Sequence, residues 1–172
     1  VGIDQVNMDG GGGTDTLDVN GTAINDTIQY TPTGQQSGQF QNEGSGTRFS
    51  FTNIAGAFTV FGGAGTANQV VLNGTSGRDL FTIVAATGAA SVSTAGINLK
   101  PVVLAADVQI LTALGQGGSD TFQVTPALGI QFPPLNLDNL LINVDGGDST
   151  ANNALVIQAA GGGALASNQF AV

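Results

Sequence analysis

MDGGGGTDTLDV, residues 8–19, is the stretch that decides the fold, because the chain writes it again. It returns as VFGGAGTANQVVL at 60–72, ALGQGGSDTFQV at 113–124 and VDGGDSTANNALVI at 144–157. Each copy places a glycine-rich turn between two short apolar runs. An internal repeat constrains the architecture before any single residue does. Aligned on Met8, Val60, Ala113 and Val144, the copies stand 52, 53 and 31 residues apart. The expected layout is therefore a single repetitive domain with units of approximately 1–53, 54–107, 108–138 and 139–172.

A second phrase sits inside the unit. VNGTAINDTIQY at 19–30 matches LNGTSGRDLFTIV at 72–84, with Asn20, Gly21, Thr22 and Asp26 each 53 residues before Asn73, Gly74, Thr75 and Asp79. The third unit lacks this phrase. It is short by about 22 residues, a length that reads as one missing rung of a solenoid, in which each rung contacts only its neighbours.

The local pattern is strand throughout. TLDV, DTIQYT, TRFSFT, FTVF, NQVVL, LFTIV, TFQV, LLINV and ALVIQ are short, β-branched or aromatic, and bounded by Gly, Asn or Asp. Phe49-Ser50-Phe51 and Phe122-Gln123-Val124 alternate apolar and polar, the period of a strand with one buried face. The helix-like run VVLAADVQILTAL at 102–114 also reads as strand, from its place in the repeat. The longest loops are expected at 33–46 and 126–137. The fold expected is all-β, a parallel β-solenoid or β-helix. The alternative is a β-sandwich or propeller-like antiparallel array. In the solenoid, Asn20 and Asn73, Thr22 and Thr75, and Thr16 and Thr121 would stack in polar ladders, over an interior column of Leu17, Val70 and Phe122.

Composition narrows the function classes. Arg48, Arg78 and Lys100 are the only basic residues against 12 acidic ones, a net charge of −9. That excludes nucleic acid as a partner, since its phosphates need Lys and Arg. There is no His, Cys or Trp, so neither disulfides nor His- or Cys-based catalysis are available. No stretch approaches the roughly 20 apolar residues of a membrane helix, and no membrane insertion is expected. The low charge, at 9% of residues, reads as an extracellular surface protein. The chain begins inside a repeat, without an initiating Met or a signal peptide, and reads as a piece of something longer.

Residues 10–18, GGGGTDTLD, fit the nonapeptide G-G-x-G-x-D-x-U-x, and the chain there resembles calcium-binding RTX (haemolysin-type) repeats. GQGGSDTFQ at 115–123 departs at Gln116, and GGAGTANQV at 62–70 has Ala67 in the aspartate position. More of the chain is similar to the "NGTxxxDTF … GGxGxDTFxV" repeats of large bacterial cell-surface proteins. That resemblance implies an adhesin, surface-layer or matrix role. The complete phrases are not in tandem, so the carbonyl cages of RTX arrays are not implied.

The candidate metal ligands are Asp9, Asp15, Asp26, Asp79, Asp120, Asp145 and Asp148. They suit Ca²⁺, which takes six to eight oxygens from carboxylates and carbonyls. The same aspartates read equally as turn caps, accepting backbone N–H groups. Arg78 beside Asp79 reads as a solvated pair. Asn20, Asn25 and Asn73 head glycosylation sequons that an Asn/Gly/Thr-rich repeat generates by composition. No catalytic residues are assigned and no enzyme is expected. The function expected is a structural module of an extracellular filament, surface layer or matrix fibre, with itself as partner through uncapped ends. The alternative is an adhesin stalk or carbohydrate-binding module, with glycans as partner and Tyr30, Phe40 and Phe132 as its exposed aromatics. A polysaccharide-acting enzyme is the last alternative, short of the cations it would need.

Overall fold

A computed structural model describes residues 3–126, 140–148 and 150–158. The chain is all-β and forms two mixed sheets, with no closed barrel. In chain order the strands are β1 (Gln5–Asp9), β2 (Leu17–Asn20), β3 (Thr27–Gly34), β4 (Ser37–Asn42) and β5 (Arg48–Thr52). They continue with β6 (Phe58–Phe61), β7 (Gln69–Asn73), β8 (Asp79–Val84), β9 (Ala89–Thr94) and β10 (Ile97–Asn98). The last are β11 (Val102–Leu104), β12 (Ile110–Leu114), β13 (Thr121–Thr125), β14 (Leu141–Asp145) and β15 (Ala154–Ile157). Among the described residues the one helical element is a 3-10 turn, Ala85–Thr87.

The first sheet has the order β1-β5-β4-β3-β7-β12-β14. The second runs β2-β6-β11-β9-β8-β13-β15, with β10 beside β9. At the flanks of both sheets neighbours pair in parallel, as β1 with β5, β12 with β14, β2 with β6 and β13 with β15. The centres are antiparallel. β3-β4-β5 forms a meander in the first sheet, and β8-β9-β11 forms one in the second. A tight turn can join antiparallel strands, whereas parallel neighbours need a crossover, here through the opposite sheet.

Strands about 53 residues apart in the chain lie in opposite sheets. A shift of 53 residues carries β1 to β6, β2 to β7 and β3 to β8. It likewise carries β4 to β9, β5 to β11, β6 to β12 and β7 to β13, within a residue. All of these steps cross from one sheet to the other. The pairings follow: β3 parallel to β7 becomes β8 parallel to β13, and antiparallel β4–β5 becomes β9–β11. From β2 the chain enters the first sheet three places beyond β1, and its meander then fills the two places between. β8-β9-β11 does the same in the second sheet. From β13 to β14 the step is one place. Among the described residues the third unit shows no returning hairpin, and the stretch that joins β13 to β14 lies almost wholly outside them.

The expected ladders are corrected by the same exchange. Asn20 lies on the second sheet and Asn73 on the first, so neither they nor Thr22 and Thr75 stack. Thr16 leads into β2 and Thr121 opens β13, far apart in the second sheet's order. Leu17 and Phe122 share a sheet that Val70 faces from across the core. The columns that do form are Ile28–Val70–Leu111–Ile142 and Tyr30–Leu72–Ala113–Val144 on one sheet. On the other they are Phe81–Phe122–Leu155 and Ile83–Val124–Ile157.

The inner faces of both sheets contribute to one apolar cluster. Its aromatic centre joins the sheets. Phe58 of β6 lies 4.5 Å from Tyr30, 5.1 Å from Phe51 and 5.8 Å from Phe40 between ring centroids. This packing explains the loop wrongly expected at 33–46. SGQFQN is a weak strand sequence, but Gly38 sits where the rings of Tyr30 and Phe51 need the space of a Cβ, and β4 forms around it. The run at 102–114 is strand as expected, split into β11 and β12. The expected loop at 126–137 lies almost wholly outside the described residues.

Candidate functional site

The repeated phrases are the arches by which the chain passes between sheets. A strand leaving an arch has diverged from its neighbour, so its first backbone N–H loses the usual ladder acceptor. A buried N–H without a partner is costly and must be satisfied elsewhere. Side chains satisfy it here. The Asp26 N–H donates to Asn68 Oδ1 at 3.0 Å, and the Asn68 N–H to Gln109 Oε1 at 2.7 Å. At the other edge the Asp79 N–H donates to Asp120 Oδ1 at 2.9 Å, and the Asp120 N–H to Asn153 Oδ1 at 2.8 Å. Each acceptor directly precedes or opens a strand, and each reaches back to the neighbouring arch.

The glycine that opens each such arch makes room for this side chain. A Cβ at Gly21, Gly62, Gly74, Gly115 or Gly146 would meet Asp26, Asn68, Asp79, Asp120 or Asn153 respectively. In the NGTxxxD phrases the threonine closes the same knot. The Thr22 N–H and hydroxyl donate to Asp26 Oδ2, at 2.5 and 2.9 Å. The Thr75 N–H and hydroxyl donate to the two oxygens of Asp79, at 2.5 and 2.9 Å. Asn42 Nδ2 adds a third bond to Asp26. Burial pushes the Asp26 carboxyl up, but the bonds from the Thr22 backbone, Asn42 and the Thr22 hydroxyl outweigh it and hold the group below its usual range.

The other predicted ligands are turn residues at the surface or arch edge. Asp9 Oδ1 accepts the Gly11 N–H and Asn53 Nδ2, which hold its carboxyl low. Asp145 accepts the Gly147 N–H, and Asp148 accepts the Thr150 hydroxyl and N–H. These two carboxylates line a shallow hollow of about 230 Å³ with Leu114, Gln116 and Gly147. Asp15 is tied through its carbonyl to the Gly56 N–H, and its Oδ2 is buried without a partner. Among the described residues no three acidic groups come together in a metal-binding arrangement. No protein-family model, curated protein or solved structure matches the chain. Its own geometry thus carries the functional argument.

Several sequence expectations are corrected at side-chain level. Tyr30 is fully buried and Phe40 is 8% exposed, so neither is a surface aromatic. Phe132 lies outside the described residues. Arg78 is exposed while Asp79 is buried, so they are not a solvated pair. The aspartate position in the second unit is filled by Asn68, because the arch after Gly62 is one residue longer than that after Gly115. Asn68, Gln109, Asn153 and Asp107, whose carboxylate accepts the Gly62 and Gly63 N–H groups, had not been singled out as ladder members. For Asn68 and Asn153 the signal is positional, a polar acceptor just before a strand and after a glycine arch, whereas Gln109 precedes β12 with no glycine in the run before it.

Lys100 is the unexpected member of the interior, 4% exposed. Its Nζ donates to the Gly56 carbonyl and reaches that of Ala55 at 3.5 Å. Burial pulls its ammonium below the ordinary 10.5. Between the lowered folded value and 10.5, the unfolded chain holds this proton more tightly than the folded one. The stability it contributes therefore rises with pH across that window. Unfolding midpoints measured against pH should climb there in the natural chain and lose that slope in Lys100→Met. An unchanged slope would place the ammonium in solvent.

Proposed function

We propose that this chain is a structural module of an extracellular, cell-surface assembly that extends by adding strands at its two ends. The observation that carries this reading is the match between those ends. β1 and β2 close one end of the two sheets and β14 and β15 the other, and no described strand pairs with their outer edges. Both ends carry the same kind of arch, DGGGGTDT at 9–16 and DGGDSTANN at 145–153. A second copy placed with β1 and β2 on β14 and β15 would continue the parallel pairing of β12 with β14 and β13 with β15. Such a head-to-tail contact does not close and so propagates.

The end layer is also apolar. Leu155 is 53% exposed in register with buried Phe122, and Leu141 is 56% exposed in register with half-buried Ile110. An open strand edge with an apolar face invites pairing with another chain. On this reading the parallel flanks are solenoidal, and the antiparallel meanders are insertions that widen each sheet. The similarity to bacterial Gly/Asp-rich surface repeats supports it from the sequence side. Calcium bound at the exposed arch carboxylates Asp9, Asp145 and Asp148, and not at the buried Asp26, Asp79 and Asp120, belongs to the same proposal. A carbohydrate-binding reading loses Tyr30 and Phe40, both in the core.

The test is light scattering and negative-stain microscopy across concentration, with calcium and with chelator. The expected result is elongated particles that lengthen with concentration. The double variant Leu141→Lys/Leu155→Lys should remain a monomer with an unchanged far-ultraviolet spectrum. A natural chain that stays monodisperse under all these conditions would exclude self-assembly and favour a stalk in which other repeats cover the ends.

A further inference from the structure

We propose that Asp120 is a neutral carboxylic acid whose Oδ2–H takes the place of an asparagine N–H, making the β12–β13 arch an acid-strengthened latch. The proposal is independent of self-assembly. It rests on a comparison that the chain makes within itself. Asn68 and Asp120 occupy the middle of the two side-chain ladders, each just before a strand. The Oδ1 of each accepts the N–H of the preceding ladder member, Asp26 or Asp79.

The second polar atom differs. Asn68 Nδ2 donates to the carbonyls of Gly65, at 3.1 Å, and Asp107, at 3.0 Å. In the other arch Asp120 Oδ2 lies against Gly115 as Asn68 Nδ2 lies against Gly62. The next arch's carbonyl, from Gly146, flanks Gly115 as that of Asp107 flanks Gly62. Asp120 Oδ2 and the Gly146 carbonyl thus share the space around Gly115, where the Asn68 arch has a donor meeting the Asp107 carbonyl. Asp120 is 0% exposed, and its Oδ2 has no hydrogen-bond partner. An ionised oxygen there would be a buried charge with no donor to meet it, among the least favourable of polar burials. A proton on Oδ2, taken from solvent, supplies the missing donor and removes the charge.

The surrounding charges agree. Asp79 opens β8, and Asp145 and Asp148 belong to β14 and its arch. Arg78, beside Asp79, is the one cation on the elements packed here, and it points to solvent. Burial raises the Asp120 carboxyl and repulsion from Asp79 adds to it, against the lowering effect of the Asp79 N–H. Because the folded value lies above the unfolded 3.8, the contribution is fully present below 3.8 and is lost as pH rises through the folded value.

Unfolding equilibria of the natural chain, Asp120→Asn and Asn68→Asp, measured from acid to neutral pH, test this directly. Relative to Asp120→Asn, the natural chain should lose up to about tenfold in its folding constant per pH unit across that window. Asp120→Asn should fold and lose that slope, and Asn68→Asp should add a second one. A protonated-carboxyl infrared band should be present in the natural chain in acid and absent from Asp120→Asn. Equal slopes in the natural chain and Asp120→Asn, or failure of Asp120→Asn to fold, would overturn the proposal. So would a calcium-dependent gain in stability that Asp120→Asn abolishes, since Oδ2 would then be a cation ligand.

Discussion

Tyr30→Ala is expected to lower the folding free energy by about 3–5 kcal/mol, the range for removing a large aromatic from a packed core. A domain of this size holds only about 5–15 kcal/mol in total, so the variant should be largely unfolded on modest heating. The reasons are local. Tyr30 is fully buried, packs on Phe58 across the two sheets and is continuous with Leu72 in the first sheet's column. Its hydroxyl donates to the Lys100 carbonyl at 2.8 Å. Tyr30→Phe keeps the ring and leaves that carbonyl unpaired, at about 1 kcal/mol. Urea unfolding of the two variants separates packing from the hydrogen bond. The chain has one Tyr and no Trp, so ultraviolet titration reads this phenol alone. Burial pushes it far above its ordinary value, and it should ionise only as the chain unfolds. A Tyr30→Ala loss of under about 1 kcal/mol would put the ring at the surface, since only surface changes are that mild.

The all-β class, most strands and the arches were legible because each depends on residues close in sequence. Short β-branched runs bounded by glycine read as strands, and the Gly/Asp phrases read as turns. The sheet exchange was not legible. Between β1 and β6 the chain crosses between sheets three times, an odd number, so equivalent residues arrive on opposite sheets. Both sheets bury the same alternation of apolar side chains, and nothing in Leu17, Val70 or Phe122 records which sheet it lies on. Strand direction was not legible for a related reason, since a hairpin and a rung of equal length have the same pattern until that direction is known.

Of the candidate site, the aspartates were visible and their work was not. Asp26, Asp79 and Asp120 bond to residues 42, 41 and 33 positions away, through backbone N–H groups that every residue carries. The acceptor varies among Asp, Asn and Gln. A motif search that asks for one residue type therefore sees Asp120 and passes over Asn68, Gln109 and Asn153. What the sequence preserves is the pairing of an arch's opening glycine with a polar acceptor a few residues later.

Asn68→Ala tests whether that pairing holds the sheets in register, and it should cost about 3 kcal/mol, with each stranded buried group contributing about 1–3 kcal/mol and not all additively. Asn68 is 1% exposed. Truncation strands the Asp26 N–H and the carbonyls of Gly65 and Asp107, and opens a gap beside Gly62, whose missing Cβ cannot fill it. Adding Gly62→Ala is not a rescue, because the new methyl would meet the Asp107 carbonyl. Asn7→Ala is the matched control, an exposed asparagine of β1 whose side-chain oxygen accepts from Gln5 Nε2, and it should cost under about 1 kcal/mol. Amide exchange locates the effect. The Asp26 N–H should exchange much faster in Asn68→Ala, while that of Phe81, in the other sheet, keeps its protection if the damage is confined to one ladder. Equal losses in Asn68→Ala and Asn7→Ala would mean that strand pairing alone sets the register and that the side-chain ladders follow it. A large loss confined to the Asp26 arch would mean that each crossing is locked separately, as a chain that changes sheets at each arch requires.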